Sequence, residues 1–138
     1  MKKVDILYIE DNPDDVLFFE RILKKIDDSL TFEVAGSGTE AISMLNGENS
    51  ESIRPRLVLV DMNLPGLSGV EIVRSLRHTQ STRHLPLVIF STSDSPTDIR
   101  SSYEAGATGY LVKSGSYKGR TQQLDHAHKF WIVSNQYF

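Results

Sequence analysis

The chain reads as an α/β domain whose parallel sheet is covered by helices on both faces. Three observations predict this. Short runs rich in Val, Ile and Leu recur five times, helix-like stretches separate them, and the third and fourth runs are continuously apolar rather than alternating. Continuous runs suit strands buried on both faces, and each parallel connection requires a crossover.

The first run is Val4-Asp5-Ile6-Leu7-Tyr8-Ile9. After it Val16, Phe19, Leu23 and Ile26 recur at helical spacing, with Pro13 where a first turn tolerates a missing N–H. Residues 31–35 form a shorter second run, and a helix is expected over Gly38–Leu45. The polar stretch 48–55 reads as a surface loop before the third run, Leu57-Val58-Leu59-Val60. A helix over 68–77, a fourth run over 85–90, a helix over Pro96–Ala105, a fifth run over Gly109–Val112 and a terminal helix over 120–133 complete the alternation.

The 138 residues suit one domain of ordinary size. The expectation is therefore a single domain over 1–138 without an output module, residues 130–138 extending the last helix. Apolar residues at 39% and charged residues at 24% exclude a disordered or fibrous chain. Fifteen Lys+Arg against 18 Asp+Glu leave a net charge of −3 and no broad basic surface, so nucleic acid is not an expected partner. Zero cysteines exclude disulfides and zinc–thiolate sites. No apolar run approaches the ~20 residues that span a bilayer, and Met1-Lys2-Lys3 opens no signal peptide, so no membrane partner and cytoplasmic residence are expected. The charge is uneven: the first 30 residues hold eight acids against five bases, while Lys113 onward holds four bases and one acid.

In doubly wound sheets ligands bind at the carboxyl ends of the strands. Here the first run ends in Glu10-Asp11, the third in Asp61, the fourth in Ser91-Thr92-Ser93 and the fifth in Lys113. Three carboxylates at one edge repel each other and call for a cation, and a hard divalent ion such as magnesium resolves the conflict. Asp61 could then act as a nucleophile toward phosphorus, with Lys113 and the Ser91 hydroxyl neutralising the phosphoryl oxygens. Taken singly, each has a plainer role. A lone strand-end Asp caps or turns, a lone Lys is solvated, and 91–96 makes a good turn and N-cap. Their convergence on one end of one sheet favours chemistry.

These residues stand in Ile9-Glu10-Asp11-Asn12, in Leu59-Val60-Asp61-Met62-Asn63-Leu64-Pro65-Gly66-Leu67-Ser68-Gly69, in Ile89-Phe90-Ser91-Thr92-Ser93 and in Ala105-Gly106-Ala107-Thr108-Gly109-Tyr110-Leu111-Val112-Lys113. In their order and spacing the sequence resembles the receiver domain of bacterial two-component response regulators, over nearly the whole chain. The resemblance implies a flavodoxin-like, doubly wound five-stranded parallel sheet of order 2-1-3-4-5 with five helices. It implies that Asp61 accepts a phosphoryl group from a sensor histidine kinase or histidine phosphotransfer protein. Glu10, Asp11, Asp61 and the main-chain carbonyl of Asn63 would hold Mg2+, Glu10 through water. The N–H groups of Met62 and Thr92 would meet the phosphoryl oxygens, and Ser91 and Tyr110 match the switch pair. Such a module catalyses its own phosphorylation and dephosphorylation without being a turnover enzyme, and its output is protein binding or phosphate relay.

Two positions depart from the pattern: the lysine is usually followed by proline but here by Ser114, and position 92, usually very small, is Thr92. The loop before Pro55, the Lys113-Ser114 dipeptide and Lys129-Phe130-Trp131 look most like the single-domain regulators of bacteriophytochromes. A haloacid-dehalogenase-like phosphatase also uses an aspartyl phosphate and magnesium. Its nucleophile follows the first strand with a second Asp two positions on, whereas Asn63 cannot donate that proton. A flavin protein of the same strand order is disfavoured by the acidic loop after Ile9, and a nucleoside triphosphatase by the absence of G-x-x-x-x-G-K-[ST].

At ~100° per residue, Leu124, Ala127 and Trp131 share one stripe of the last helix, while Phe130, Val133 and Tyr137 share another. The second stripe is a candidate contact face for a homodimer or a kinase. The competing expectation is that Tyr137 and Phe138 fold back on the same domain. His126 and His128 point to different helix faces and suggest no metal site, and His78 and His84 are expected to be solvated.

Overall fold

Side chains along a strand face alternate sides, so a continuously apolar strand needs cover above and below. A computed structural model describes residues 2–46 and 52–137 and meets that need with helices on both faces. The strands are β1 Lys2–Ile9, β2 Phe32–Ala35, β3 Ile53–Val60, β4 Leu87–Ser91 and β5 Gly109–Val112. The helices are α1 Pro13–Ile26, α2 Gly38–Leu45, α3 Gly69–Arg77, α4 Pro96–Ala105 and α5 Tyr117–Ala127. Among the described residues the strands form one parallel sheet of order β2-β1-β3-β4-β5.

Alternation sorts the core into two layers. Leu7 and Ile9 of β1 and Val58 and Val60 of β3 pack with Ala41, Ile72, Val73 and Leu76 beneath α2 and α3. Ile6 and Tyr8, with Leu57 and Leu59, pack on the other face with Phe19, Ile22, Leu23, Leu124 and Ala127 of α1 and α5. Local chemistry sets the helix starts. The Asn12 side chain caps α1 by accepting from Asp14 N at 2.9 Å, and Ser68 with Glu71 forms a reciprocal capping box on α3.

Two expectations change. The loop over 48–55 gives way at Ile53, where β3 begins, while residues 47–51 lie outside the described part. Exposed Arg54 and half-buried Arg56 interrupt the apolar run but alternate with buried Ile53, Pro55 and Leu57, as a strand requires. This half of β3 pairs with β1 alone, since β4 joins only at Val58, so a proline is tolerated beside an open edge. The second change is at the carboxyl end. α5 passes into π-helical turns over His128–Ser134, closed by Asn135 N donating to Phe130 O at 2.7 Å. The wider turn moves the inward position by one residue. Ile132 is buried in the layer of Leu124 and Ala127, Trp131 packs half-buried against that layer, and the helical extension stops at Ser134.

Arg77 ties the last turn of α3 to the rest. Its Nε donates to Gly106 O at 2.7 Å, one terminal nitrogen donates to Arg83 O and Leu85 O at 2.8 Å each, and the other donates to Thr108 Oγ1 at 3.0 Å. Gly106 closes α4 at φ 110°, in the left-handed region, where a Cβ would stand 2.7 Å from Arg77 Cγ. Arg77→Ala strands three carbonyls and is expected to destabilise by about 2–4 kcal/mol in urea unfolding. Arg77→Lys should recover little, because an ammonium cannot reproduce the planar fork.

Candidate functional site

The connection from β1 through α1 leads to β2 on one side, and that from β3 through α3 leads to β4 on the other. The switch point therefore lies between the carboxyl ends of β1 and β3. Glu10 and Asp11 follow β1 at this point, and Asp61 follows β3. Ser91 closes β4, and Lys113 follows β5 with its N–H donating to Ser91 O at 2.7 Å. The structure thus brings all five predicted chemical groups to one edge.

Carboxylate oxygens of Glu10, Asp11 and Asp61 lie within 4.8 Å of one another, forming a group able to hold a divalent cation. Asp11 is exposed, while Glu10 and Asp61 are buried. Glu10 is already heavily engaged: Oε1 accepts from Lys113 Nζ and, at 3.1 Å, from Tyr8 Oη, and Oε2 accepts from Asp11 N at 3.2 Å. A ligand so committed fits contact with an ion through water. Gly69 packs against the backbone of the same turn, where a Cβ would stand 2.6 Å from Asp61 O.

The Lys113 side chain is 2% exposed and its Nζ contacts three carboxylates: Glu10, Asp15 Oδ2 at 3.0 Å and Asp61 Oδ1 at 3.7 Å. Burial alone would lower the ammonium pKa, but Glu10, Asp61 and Asp15 carry it above the ordinary 10.5. Burial pushes the Glu10 carboxyl up, against the pull of Lys113. Burial also acts to raise Asp15, but hydrogen bonds from Arg120 and Lys113 outweigh it and hold the carboxyl below its ordinary value. The phenol of Tyr8 is pushed up by burial and by the charges of Glu10 and Asp15.

The remaining predicted residues fall as follows. Ser91 is fully buried and its Oγ accepts from Ser93 N at 3.3 Å. Tyr110 is half-buried, and its hydroxyl donates to Ser93 O at 2.8 Å. Burial lifts its phenol pKa, partly offset by that bond. The N–H groups of Met62 and Thr92 donate to no backbone oxygen among the described residues. Asn63 is exposed beside Asp61. Phe130, Val133 and Tyr137 are all exposed, but Tyr137 folds back on the domain: Arg56 lies over its ring at 4.3 Å and donates to its hydroxyl. His84 is half-buried with Nε2 shielded from solvent, so solvation is not its state.

Sequence reasoning missed Asp15, Arg120, Tyr8 and Gln123. Arg120 donates to Asp15 Oδ1 at 2.6 Å and to Ser114 O at 2.8 Å. Gln123 brackets Lys113: its Oε1 accepts from Ser114 N at 3.0 Å and its Nε2 donates to Val112 O at 2.6 Å. The departure at Ser114 thus has a use, since proline would lack the N–H that Gln123 holds. Only Asp15 left a trace in the sequence, as part of the acidic excess near Glu10.

Residues 6–124 match the family described as the response regulator receiver domain. The response regulator Rcp1 of Synechocystis sp. is 31% identical over 129 residues, which is 92% of this chain and 88% of that protein. Among solved structures, the phosphorylated cyanobacterial phytochrome response regulator RcpA superposes with a TM-score of 0.88 at 28% identity, covering 98% of this chain and 96% of that one. The Mn(2+)-bound form of Rcp1 gives 0.85 at 28% identity, covering 99% and 98%.

Because the Asp15 pKa is lowered on folding, its stabilisation is complete above the ordinary value of 3.8 and is lost as pH falls through the folded value. Asp15→Asn is expected to cost about 1–3 kcal/mol at neutral pH. The gap to wild type should close in urea unfolding below pH 3.8.

Proposed function

Since the chain belongs to the response regulator receiver domain family, we propose that Asp61 accepts a phosphoryl group from a sensor histidine kinase or a histidine phosphotransfer protein. The observation that carries this reading is buried Lys113 standing 3.7 Å from Asp61 inside the Glu10–Asp11–Asp61 cluster. An Asp61 carboxylate oxygen attacks phosphorus, and the P–N bond to the donor histidine breaks with its electron pair returning to the imidazole. Glu10, through water, with Asp11, Asp61 and the Asn63 carbonyl would hold Mg2+, which when bound offsets the negative charge of carboxylates and phosphoryl oxygens.

A lysine ammonium has three N–H donors. Glu10 and Asp15 engage two, leaving one to point at Asp61 and, after transfer, at a phosphoryl oxygen. The N–H groups of Met62 and Thr92 meet the other oxygens. Ser91 Oγ turns toward the phosphoryl group, Tyr110 leaves Ser93 O and swings inward, and the face made by α4 and β5 is remodelled. Asp98 lies within this face, since its Oδ2 accepts from Ser93 Oγ at 2.6 Å.

The reading makes the domain a signalling switch and not a turnover enzyme, acting in the cytoplasm through a protein contact or phosphate relay. Phe130 and Val133, 56% and 66% exposed, form with the rim of Tyr137 a contact face for a second copy or a kinase. Sedimentation as a monomer at high concentration, before and after phosphorylation, would remove the dimer.

Incubation with magnesium and acetyl phosphate, followed by intact-mass measurement, tests the main reading. Wild type gains one phosphoryl mass and Asp61→Asn gains none. Steady phosphate release from diverse monoesters would instead support the haloacid-dehalogenase-like phosphatase. Lys113→Ala is expected to slow labelling by about 100-fold or more, as loss of an oxyanion donor does.

A further inference from the structure

The amino ends of the strands, opposite Asp61, enclose a cavity of about 440 Å³, within the range of small-molecule sites. β1 contributes Lys3 and Asp5, β3 contributes Arg54 and Arg56, and residues just ahead of β2, β4 and β5 close the floor. Arg77 and Arg83 complete the cationic lining, and Trp131 and Tyr137 form an aromatic wall. Among the described residues, five cationic side chains thus meet one carboxylate, in a chain whose net charge is −3. The carboxylate, Asp5, lies 3.6 Å from Arg56. Arg77 is spent on backbone carbonyls, but Arg54 and Arg83 make no side-chain ion pair among the described residues.

The field here registers on a neighbour. Burial, together with the charges of Arg54, Arg77 and Arg83, holds the imidazole of His84 below its ordinary pKa, so that ring adds no charge of its own at neutral pH. This fold binds its ligands at the opposite edge of the sheet, so the usual switch-point chemistry does not account for the cavity.

We propose that this cavity binds a small phosphorylated ligand carrying a flat ring, of the nucleotide class. Guanidinium groups match phosphate oxygens in bidentate geometry, and Arg54 and Arg83 are the two not committed elsewhere among the described residues. The flat ring is met by Trp131, whose indole is half-buried and packed edge-on with Phe130 at 4.7 Å. The site is made jointly by strand starts and by the terminal segment that Arg56 pins through Ile132 O and Tyr137. It is separate from the phosphoacceptor reading and stands or falls without it.

Trp131 is the chain's single tryptophan, so its emission reports occupancy of the cavity. The titration uses adenosine 5′-monophosphate in EDTA, which keeps phosphate from reaching the Asp61 edge through a metal, with calorimetry alongside. The expected result is a saturable change at Trp131 that weakens with added salt, with adenosine and inorganic phosphate each binding more weakly. The exposed pair Arg54→Ala/Arg83→Ala should lose about tenfold or more in affinity. Labelling of Asp61 by acetyl phosphate in that variant should match wild type. Silence in both readouts up to millimolar nucleotide overturns the proposal. So does unchanged affinity in the double variant, or adenosine binding as tightly as its monophosphate.

Discussion

An ammonium group withdrawn from water is the constraint around which this molecule is arranged. Lys113 can remain charged at 2% exposure only because carboxylates surround it, and they can crowd together only because it lies between them. The partners come from three places: the end of β1, the first turn of α1 and the end of β3. With Lys113 at the end of β5, one charge cluster ties the carboxyl edge across the sheet. Removing either side of such a pair leaves an uncompensated buried charge, so the site and the stability of that edge are one problem.

The supporting residues follow from the same constraint. Tyr8 rises from the second core layer, against Phe19 at 4.5 Å, to meet Glu10 with its hydroxyl. Arg120 fixes Asp15, and Gln123 fixes the backbone on both sides of Lys113. A strand-end side chain is thereby aimed from α5, which tolerates Ser114 after the lysine. On the other flank, Ser93 connects Tyr110 to Asp98 through its carbonyl and hydroxyl, so the loop after β4 is held by the helix and the strand that flank it.

Parallel strands also give the molecule a polarity. All carboxyl ends share one edge and all amino ends the other, so charge placed consistently at strand ends accumulates. Acids gather beyond Ile9 and Val60, while Lys3, Arg54, Arg56 and Arg83 gather at the opposite edge. The small net charge of −3 therefore conceals local excesses of opposite sign at the two edges.

Much of this was legible in the sequence because its determinants are local. Apolar runs marked the strands, Pro13 and the capping segment 91–96 marked helix starts, and the residues after each run named Glu10, Asp11, Asp61, Ser91 and Lys113. Those signals operate within a few residues, where period and capping are set by backbone geometry. The start of β3 was hidden because Arg54 and Arg56 break the apolar run while alternating with buried residues. Ile132 was hidden because a π-helical turn shifts the inward face, and no 3.6-residue period records that. Asp15 with Arg120, the Gln123 bracket and the cationic cavity were beyond reach for one reason. Each joins residues on different elements, and only the strand order and the docking of α1, α5 and the terminal segment on the sheet decide which of them meet.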